Sequence, residues 1–471
     1  MSTSAKKLTK NVILSISAQL LSLITSFVLG FIVPKFIDEY QYSYWQSFVL
    51  YIGYVNIFQF GILDGFILRY AQYNVEELDK PRVRSQFQVL LITNSLLTFM
   101  GVLIASTVIQ SPVYKWVMIF VCIGIVSKNI FAYTSYIFQS TNRINEYALV
   151  VIVQRLVYAA FIIVLLALKV NDFYLYCLAD IVGDIAAIIV GTFFNKGLYF
   201  GKSLSLKEIW FETKNNISSG LLLLIANLSS GLLLGSAKMI TQWRWGGLVF
   251  GKVSFAFSLF GAFLSFAVAI GVVLFPALKR TKAEELPNFY KKIRNMISFL
   301  LFFVIIAYFP LNYILRLWLP NYKESLIYLG IVLPLAIFTV KVMLLTNNYL
   351  KVYRKEKAML LINVVTLAVC FITCWLSAYI FDNLDLLIYS LLVVCMFRSI
   401  VSEIVVMRII QKSAWLDFIV EIIMTVVFVI AARYFSLWIG CLIYALAIAI
   451  YCIIYHKNLT AMIKGLKRKN G

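Results

Sequence analysis

The stretch NVILSISAQLLSLITSFVLGFIV (Asn11–Val33) contains no Asp, Glu, Lys or Arg. As an α-helix rising about 1.5 Å per residue, it is long enough to cross a bilayer hydrocarbon core of about 30 Å. The run is longer than the apolar region of a secretory signal and lacks a small-residue cleavage site, so it reads as a first spanning helix rather than a cleavable leader. Similar runs of about 18 to 27 residues follow along the whole chain. Fourteen spans are predicted, near residues 11–33, 45–68, 86–109, 116–138, 149–168, 173–194, 216–236, 249–275, 296–315, 325–346, 358–381, 386–407, 416–433 and 437–455.

Composition agrees with this reading. Only 13% of residues are charged against 62% hydrophobic, whereas soluble domains carry about 25% charged residues. Most of the surface must therefore face lipid. The net charge of +21 does not point to nucleic acid, because the basic residues sit in short segments between apolar runs rather than on one stripe or in a binding module. Clusters at Lys6, Lys7 and Lys10, at Arg82 and Arg84, and over 279–292, 351–357 and 464–469 alternate along the chain. With the N-terminus cytoplasmic, about 29 Lys and Arg fall inside and about 8 outside, so both termini are expected to be cytoplasmic. These clusters also suit contact with anionic membrane lipids.

Several function classes lose support. All seven cysteines lie within apolar runs, so neither a disulfide framework nor a zinc site is indicated. His456 is the only histidine and lies near the C-terminus, which leaves no basis for histidine-based metal sites, triads or proton relays. No loop is long enough to form a separate domain, so function is expected within the membrane. A weak internal repeat relates TSFVLG (Thr25–Gly30) to SGLLLG (Ser230–Gly235), and NRINEYA (Asn142–Ala148) to YRKEKA (Tyr353–Ala358). The expected organisation is two six-helix lobes, residues 1–195 and 196–407, followed by two further helices and a basic tail over 408–471. Lobes repeated in this way are common in secondary transporters.

Charges inside the spans narrow the reading further. Lys128, Arg155, Lys252, Lys341 and Arg398 would together cost on the order of 12 to 17 kcal/mol if they faced lipid. They are expected to face the interior, as is a polar stripe of Ser15, Gln19, Ser22 and Ser26 on the first helix; Lys128, Ser135 and Gln139 likewise share a face. The competing explanation is ion pairing within a lobe. Asp180 and Asp184 share a face of the sixth span, Glu403 lies in the twelfth, and Arg69 or Arg143 has Asp64 or Glu146 as a partner. Glu403 is the obvious acid for the second-lobe cations, which leaves a positive surplus suited to an anionic ligand. In this reading the planar guanidinium groups of Arg155 and Arg398 grip a pyrophosphate while Lys128, Lys252 and Lys341 set the potential. Asp64, Asp180 and Asp184 are candidate sites for a coupling Na⁺ or H⁺; no cofactor is expected.

PKFIDEYQYSYWQSF (Pro34–Phe48) and GILDGFILRYAQ (Gly61–Gln72) resemble the first two helices of the Wzx-type polysaccharide flippases. QSTNRINEYALVVIVQR (Gln139–Arg155) is similar to the loop and fifth helix of that family, and LFPAL (Leu274–Leu278) to the end of its eighth. The resemblance implies the MOP exporter superfamily, which also holds multidrug antiporters and lipid II flippases. It implies an all-α, V-shaped MATE-like bundle of fourteen helices that works by alternating access. It further implies that a polyprenyl-pyrophosphate-linked oligosaccharide is carried across a bacterial inner membrane, with a polysaccharide polymerase and a chain-length regulator as partners. SAKMITQWRWGG (Ser236–Gly247) departs from the pattern, because the family is usually acidic there. An organic-cation antiporter of the same superfamily is the alternative, although its cavity should be net acidic. A membrane-embedded glycosyltransferase or polymerase is a third, and would need a sizeable loop carrying its catalytic groups.

Overall fold

The computed structural model describes residues 21, 23–71, 73–280, 284–413 and 415–456, those of 266–280 by their backbone alone. Among them there is no strand. The helices are α1 (Leu23–Phe36), α2 (Glu39–Ile52), α3 (Ile62–Tyr70), α4 (Lys80–Val108), α5 (Pro112–Ser140), α6 (Ile144–Ala167), α7 (Phe173–Tyr199) and α8 (Leu206–Arg280). They continue with α9 (Leu286–Ile305), α10 (Tyr308–Trp318), α11 (Lys323–Val332), α12 (Leu335–Val352), α13 (Glu356–Tyr379), α14 (Leu384–Ile410), α15 (Trp415–Tyr434) and α16 (Leu437–Ile454). The all-α membrane class expected from sequence is the one observed.

Local chemistry sets several of the boundaries. Asp38 caps α2 by accepting from the Tyr40 amide, Asp79 caps α4 through the Arg82 amide, and Asn383 caps α14 through the Leu386 amide. The faces turned away from the core are apolar. On α4, Ile92, Leu96, Phe99 and Leu103 are exposed, as a helix solvated by lipid requires.

Ten helices are long and apolar enough to cross a membrane, and twelve spans result when each of two bent pairs is taken as one. The chain is a multi-pass membrane protein. The predicted count of fourteen is not reached, for two identifiable reasons. Nearly half of the first span lies outside the described residues, and the seventh and eighth run together in α8, whose helical geometry breaks only at Gly246 (φ 81°). The bent pairs are α2 with its 3₁₀ extension to Gln59 and α3, at 60°, and the α11 and α12 segments, at 49°. At the first bend Phe60 (φ 53°) and Gly61 (φ 88°) are both left-handed, which no continuous α-helix tolerates.

The chain forms two compact units. One consists of the described residues up to Gly231 together with Trp245–Gly251; the other consists of Leu232–Arg244 and the described residues from Lys252 onward. They divide the chain at other positions than the lobes expected from sequence: residues 196–231 and Trp245–Gly251 go with the first unit, and α15 and α16 with the second. Glycine is what lets the start of α8 lie on α3. A Cβ at Gly65 would fall 2.0 Å from the Asn216 carbonyl oxygen, and one at Gly220 would fall 2.1 Å from that of Gly61. Small residues that bring backbones together are a standard means of helix association in membranes.

Candidate functional site

In the first unit the polar centre is a lysine between two aspartates. Lys128 on α5 lies 2.8 Å from Asp180 and 3.0 Å from Asp184, both on α7. Ser127 and Gln154 donate to Asp184 at 3.1 and 3.2 Å. The spacing of Asp180 and Asp184, one helical turn apart, places both carboxylates toward the same ammonium. Lys128 is therefore engaged within its own unit, and these two acids are held by it. Of the other residues expected on the Lys128 face, Ser135 is buried and Gln139 is exposed.

Arg155, one residue beyond Gln154 on α6, is half-buried and makes no ion pair among the described residues. Asp64 is 6% exposed and accepts from the Gln59 side-chain amide at 2.6 Å. It is not the partner of Arg69, which turns instead to Glu212 at 2.7 Å and to Asn216 at 2.6 Å. Tyr70 also donates to Glu212, at 2.7 Å. Arg143 pairs with Glu146 at 3.1 Å. Asp64 thus remains without a cationic partner among the described residues and lines a cavity of about 160 Å³ with Tyr54, Asn56, Gln59, Tyr136 and Asn227.

The second unit holds a larger network. Lys341 on α12 bridges Glu403 on α14 and Glu421 on α15. Arg294 on α9 reaches the same two acids, at 2.6 and 3.0 Å, and Asp417 at 3.2 Å. Ser298 donates to Glu421, and Tyr455 to Asp417. Lys341 and Glu403 are fully buried, Arg294 and Glu421 nearly so. A π-helical turn, Val342–Thr346, follows Lys341 directly. Elsewhere Lys252 pairs with Glu324 at 2.6 Å, and the buried Arg398 donates through Nε and Nη2 to the Asn363 amide oxygen.

The expected positive surplus is therefore smaller than the sequence suggested. Lys128, Lys252 and Lys341 each have a carboxylate, and Glu403 is not the main acid of the second unit but one of several. Glu324 stands at a helix start and Glu421 in the thirteenth predicted span, and neither is among the acids expected from sequence. Arg294 stands between the basic cluster over 279–292 and the span predicted from 296, so it reads as one more charge of a cytoplasmic loop. Asp417 and Glu421, spaced i and i+4 in an apolar run, were the available signal. Ser26 is half-buried on α1, whereas Ser15, Gln19 and Ser22 lie outside the described residues.

No protein-family model matches the sequence, and no curated protein matches it. Solved structures do. An inward-facing multidrug resistance MATE family transporter of the MOP superfamily is similar with a TM-score of 0.63, at 13% identity, over 84% of this chain and 96% of its own. Lipid II flippase MurJ in an inward closed conformation is similar with the same TM-score of 0.63, at 12% identity, over 96% of this chain and 100% of its own. The chain has the MOP transporter fold. A MOP superfamily transporter from Pyrococcus furiosus Vc1 (DSM3638) shares that fold at a TM-score of 0.52 and 12% identity, over 86% of this chain and 96% of its own.

Proposed function

We propose that the protein is a flippase for a lipid-linked oligosaccharide, carrying a polyprenyl-pyrophosphate glycan from the cytoplasmic to the outer leaflet of a bacterial inner membrane by alternating access. The observation that carries this reading is the extent of the match to a lipid flippase. Lipid II flippase MurJ is matched over its whole length and 96% of this chain, whereas the multidrug transporter leaves a larger part of this chain without a counterpart. The resemblance to Wzx-type proteins over Pro34–Phe48 and Gln139–Arg155 points the same way. Arg155 supplies a cation that no carboxylate among the described residues neutralises, and a guanidinium suits a pyrophosphate. Two six-helix lobes with a further helix pair, cytoplasmic termini and a polymerase partner belong to the same proposal.

Energetically, a pyrophosphate diester with two negative charges moves outward with the potential of an inside-negative membrane, which favours export by about 2.3 kcal/mol per charge per 100 mV. The test is a proteoliposome assay with a fluorescent polyprenyl-pyrophosphate oligosaccharide, scored by exposure of inner-leaflet label to an impermeant quencher. Faster exposure than in protein-free vesicles, increased by an imposed potential, is expected. The second reading, an organic-cation antiporter, draws on the Asp64 cavity, which holds a carboxylate without a cation and two tyrosine rings. Uptake of an organic cation against a proton or sodium gradient, without any lipid flipping, would establish it instead.

A further inference from the structure

We propose that the crossing of α3 with the start of α8 is a releasable latch, which closes the Asp64 cavity toward the end of the unit where α3 leads into α4. Three layers follow one another along the two helices. Leu63 and Asp64 of α3 and Leu224, Asn227 and Leu228 of α8 line the cavity. Next come Gly65 and Gly220, where a Cβ added on either helix would run into the backbone of the other. Beyond them Arg69 and Tyr70 reach Glu212, and Arg69 also reaches Asn216. A polar cavity, a constriction and a lid of charges thus succeed one another within about two turns of α3.

What joins the two helices is suited to parting. The apolar core at this end of the unit is drawn from α3, α4, α5 and α7, with Phe66, Val83, Tyr133 and Tyr199 among its members, and includes no residue of α8 among the described residues. Release of α8 therefore leaves that core intact. At the crossing itself the two glycines set backbone against backbone and interlock no side chain of their own, so separation there needs no repacking. The ties beyond the glycines are polar. Besides the Arg69 contacts, Asn216 donates to Gln86 of α4 at 3.0 Å, and Gln86 donates to Thr213 at 3.3 Å. The Arg69 side chain is 28% exposed, and that of Arg82, 3.9 Å from the same Glu212, is 44% exposed. Water replaces ion pairs of this kind at small cost, which the enclosed Lys341 network does not allow.

The start of α8 is also self-sufficient as a helix. The Glu208 carboxylate accepts from the amide and the hydroxyl of Ser205 at 3.0 and 2.6 Å, so its first turn is closed without help from α3 or α4. Just upstream, Arg84 of α4 donates to the carbonyls of Gly197 and Lys202, which fixes the base from which the segment moves. Letting go of Glu212 then frees a preformed helical arm rather than unfolding one. The cytoplasmic placement of this latch and its part in a transport cycle rest on the proposed function; its opening does not.

The test uses the full chain in lipid nanodiscs carrying Thr213→Cys, a buried position under the latch. Labelling by a membrane-impermeant maleimide is read at the peptide containing residue 213 by mass spectrometry, which separates it from the native cysteines. Slow labelling is expected, accelerated about fivefold or more by Glu212→Gln and further by Gly220→Ala, whose Cβ drives the backbones apart. If Gly220→Ala does not fold, Arg69→Gln takes its place. In a second measurement Arg69→Cys and Glu212→Cys are joined by a short bismaleimide, and the proteoliposome flipping rate should fall about tenfold or more relative to the unjoined pair. Labelling that no substitution accelerates, or flipping undiminished in the joined protein, would overturn the inference. Labelling that follows the latch in a protein that flips no lipid upholds the latch and removes the proposed function; flipping that persists across the joined latch does the reverse.

Discussion

Each unit contains a lysine held between two carboxylates, yet the two arrangements differ in how they are closed. Lys128 faces Asp180 and Asp184 with its side chain 21% exposed and serves both acids alone. Lys341 faces Glu403 and Glu421 with no exposure, and Arg294 spans the same pair of acids. The second cluster joins α9, α12, α14 and α15, so four helices share one set of charges. The first joins α5 to α7, with Gln154 reaching in from α6. The cluster of the second unit is a staple, because two cations and three carboxylates tie four helices together and its lysine, its arginine and both glutamates are buried. That of the first unit relies on a single cation for its two carboxylates and retains some access to the outside, which makes it the more adaptable of the two.

The sharpest way to break this comparison is Glu403→Leu. Removing one partner of a buried ion pair costs about 3–5 kcal/mol, and here the loss takes one bonded carboxylate from each of two buried cations. Lys341 and Arg294 would keep Glu421 and Asp417 but lose the acid that both share. A marked fall in thermal stability of the purified protein is expected, with part of it recovered by adding Lys341→Met. Unfolding of Glu403→Leu at the wild-type temperature would show that the network is not a staple.

The middle effect is Lys128→Met. It leaves two carboxylates facing each other, but the partial exposure of Lys128 and the bonds from Ser127 and Gln154 limit the penalty to about 1–3 kcal/mol. Thermal unfolding should rank it between wild type and Glu403→Leu, and Asp184→Asn added to it should restore stability by removing the repulsion. A loss as large as that of Glu403→Leu would mean that the first cluster is as closed as the second.

The contrast also explains what could be read from the chain and what could not. Spans were legible because lipid demands long apolar helices, and the Lys128 pairing was legible as an alternative because Asp180 and Asp184 lie one turn apart on a single helix. The second cluster was not. Arg294 looked like one more cytoplasmic charge, and its partners Glu403 and Glu421 lie more than a hundred residues away on helices whose packing no periodicity reveals. Asp64 shows the same limit in reverse. Its lack of a cation depends on Arg69 turning to Glu212, a choice made in three dimensions by the glycine crossing of α3 and α8. Breaks such as that at Phe60 and Gly61 are equally hidden, since a left-handed pair inside an apolar run leaves hydropathy unchanged.

The smallest expected change in stability belongs to Arg155→Ala, and that smallness is what makes it informative. Arg155 is half-buried, and no ion pair ties it to the rest of its unit among the described residues. Its loss should move stability by about 0.5 kcal/mol or less, the range of substitutions that remove no buried network. If a pyrophosphate is carried, the same substitution should nevertheless slow flipping strongly, because a guanidinium contact to an anionic head group in a site away from bulk water has no ready substitute. Stability and transport would then separate at this position, whereas at Glu403 they fall together. Flipping at the wild-type rate in Arg155→Ala would remove this residue from substrate handling and leave Arg398, on its amide partner Asn363, as the guanidinium to test next.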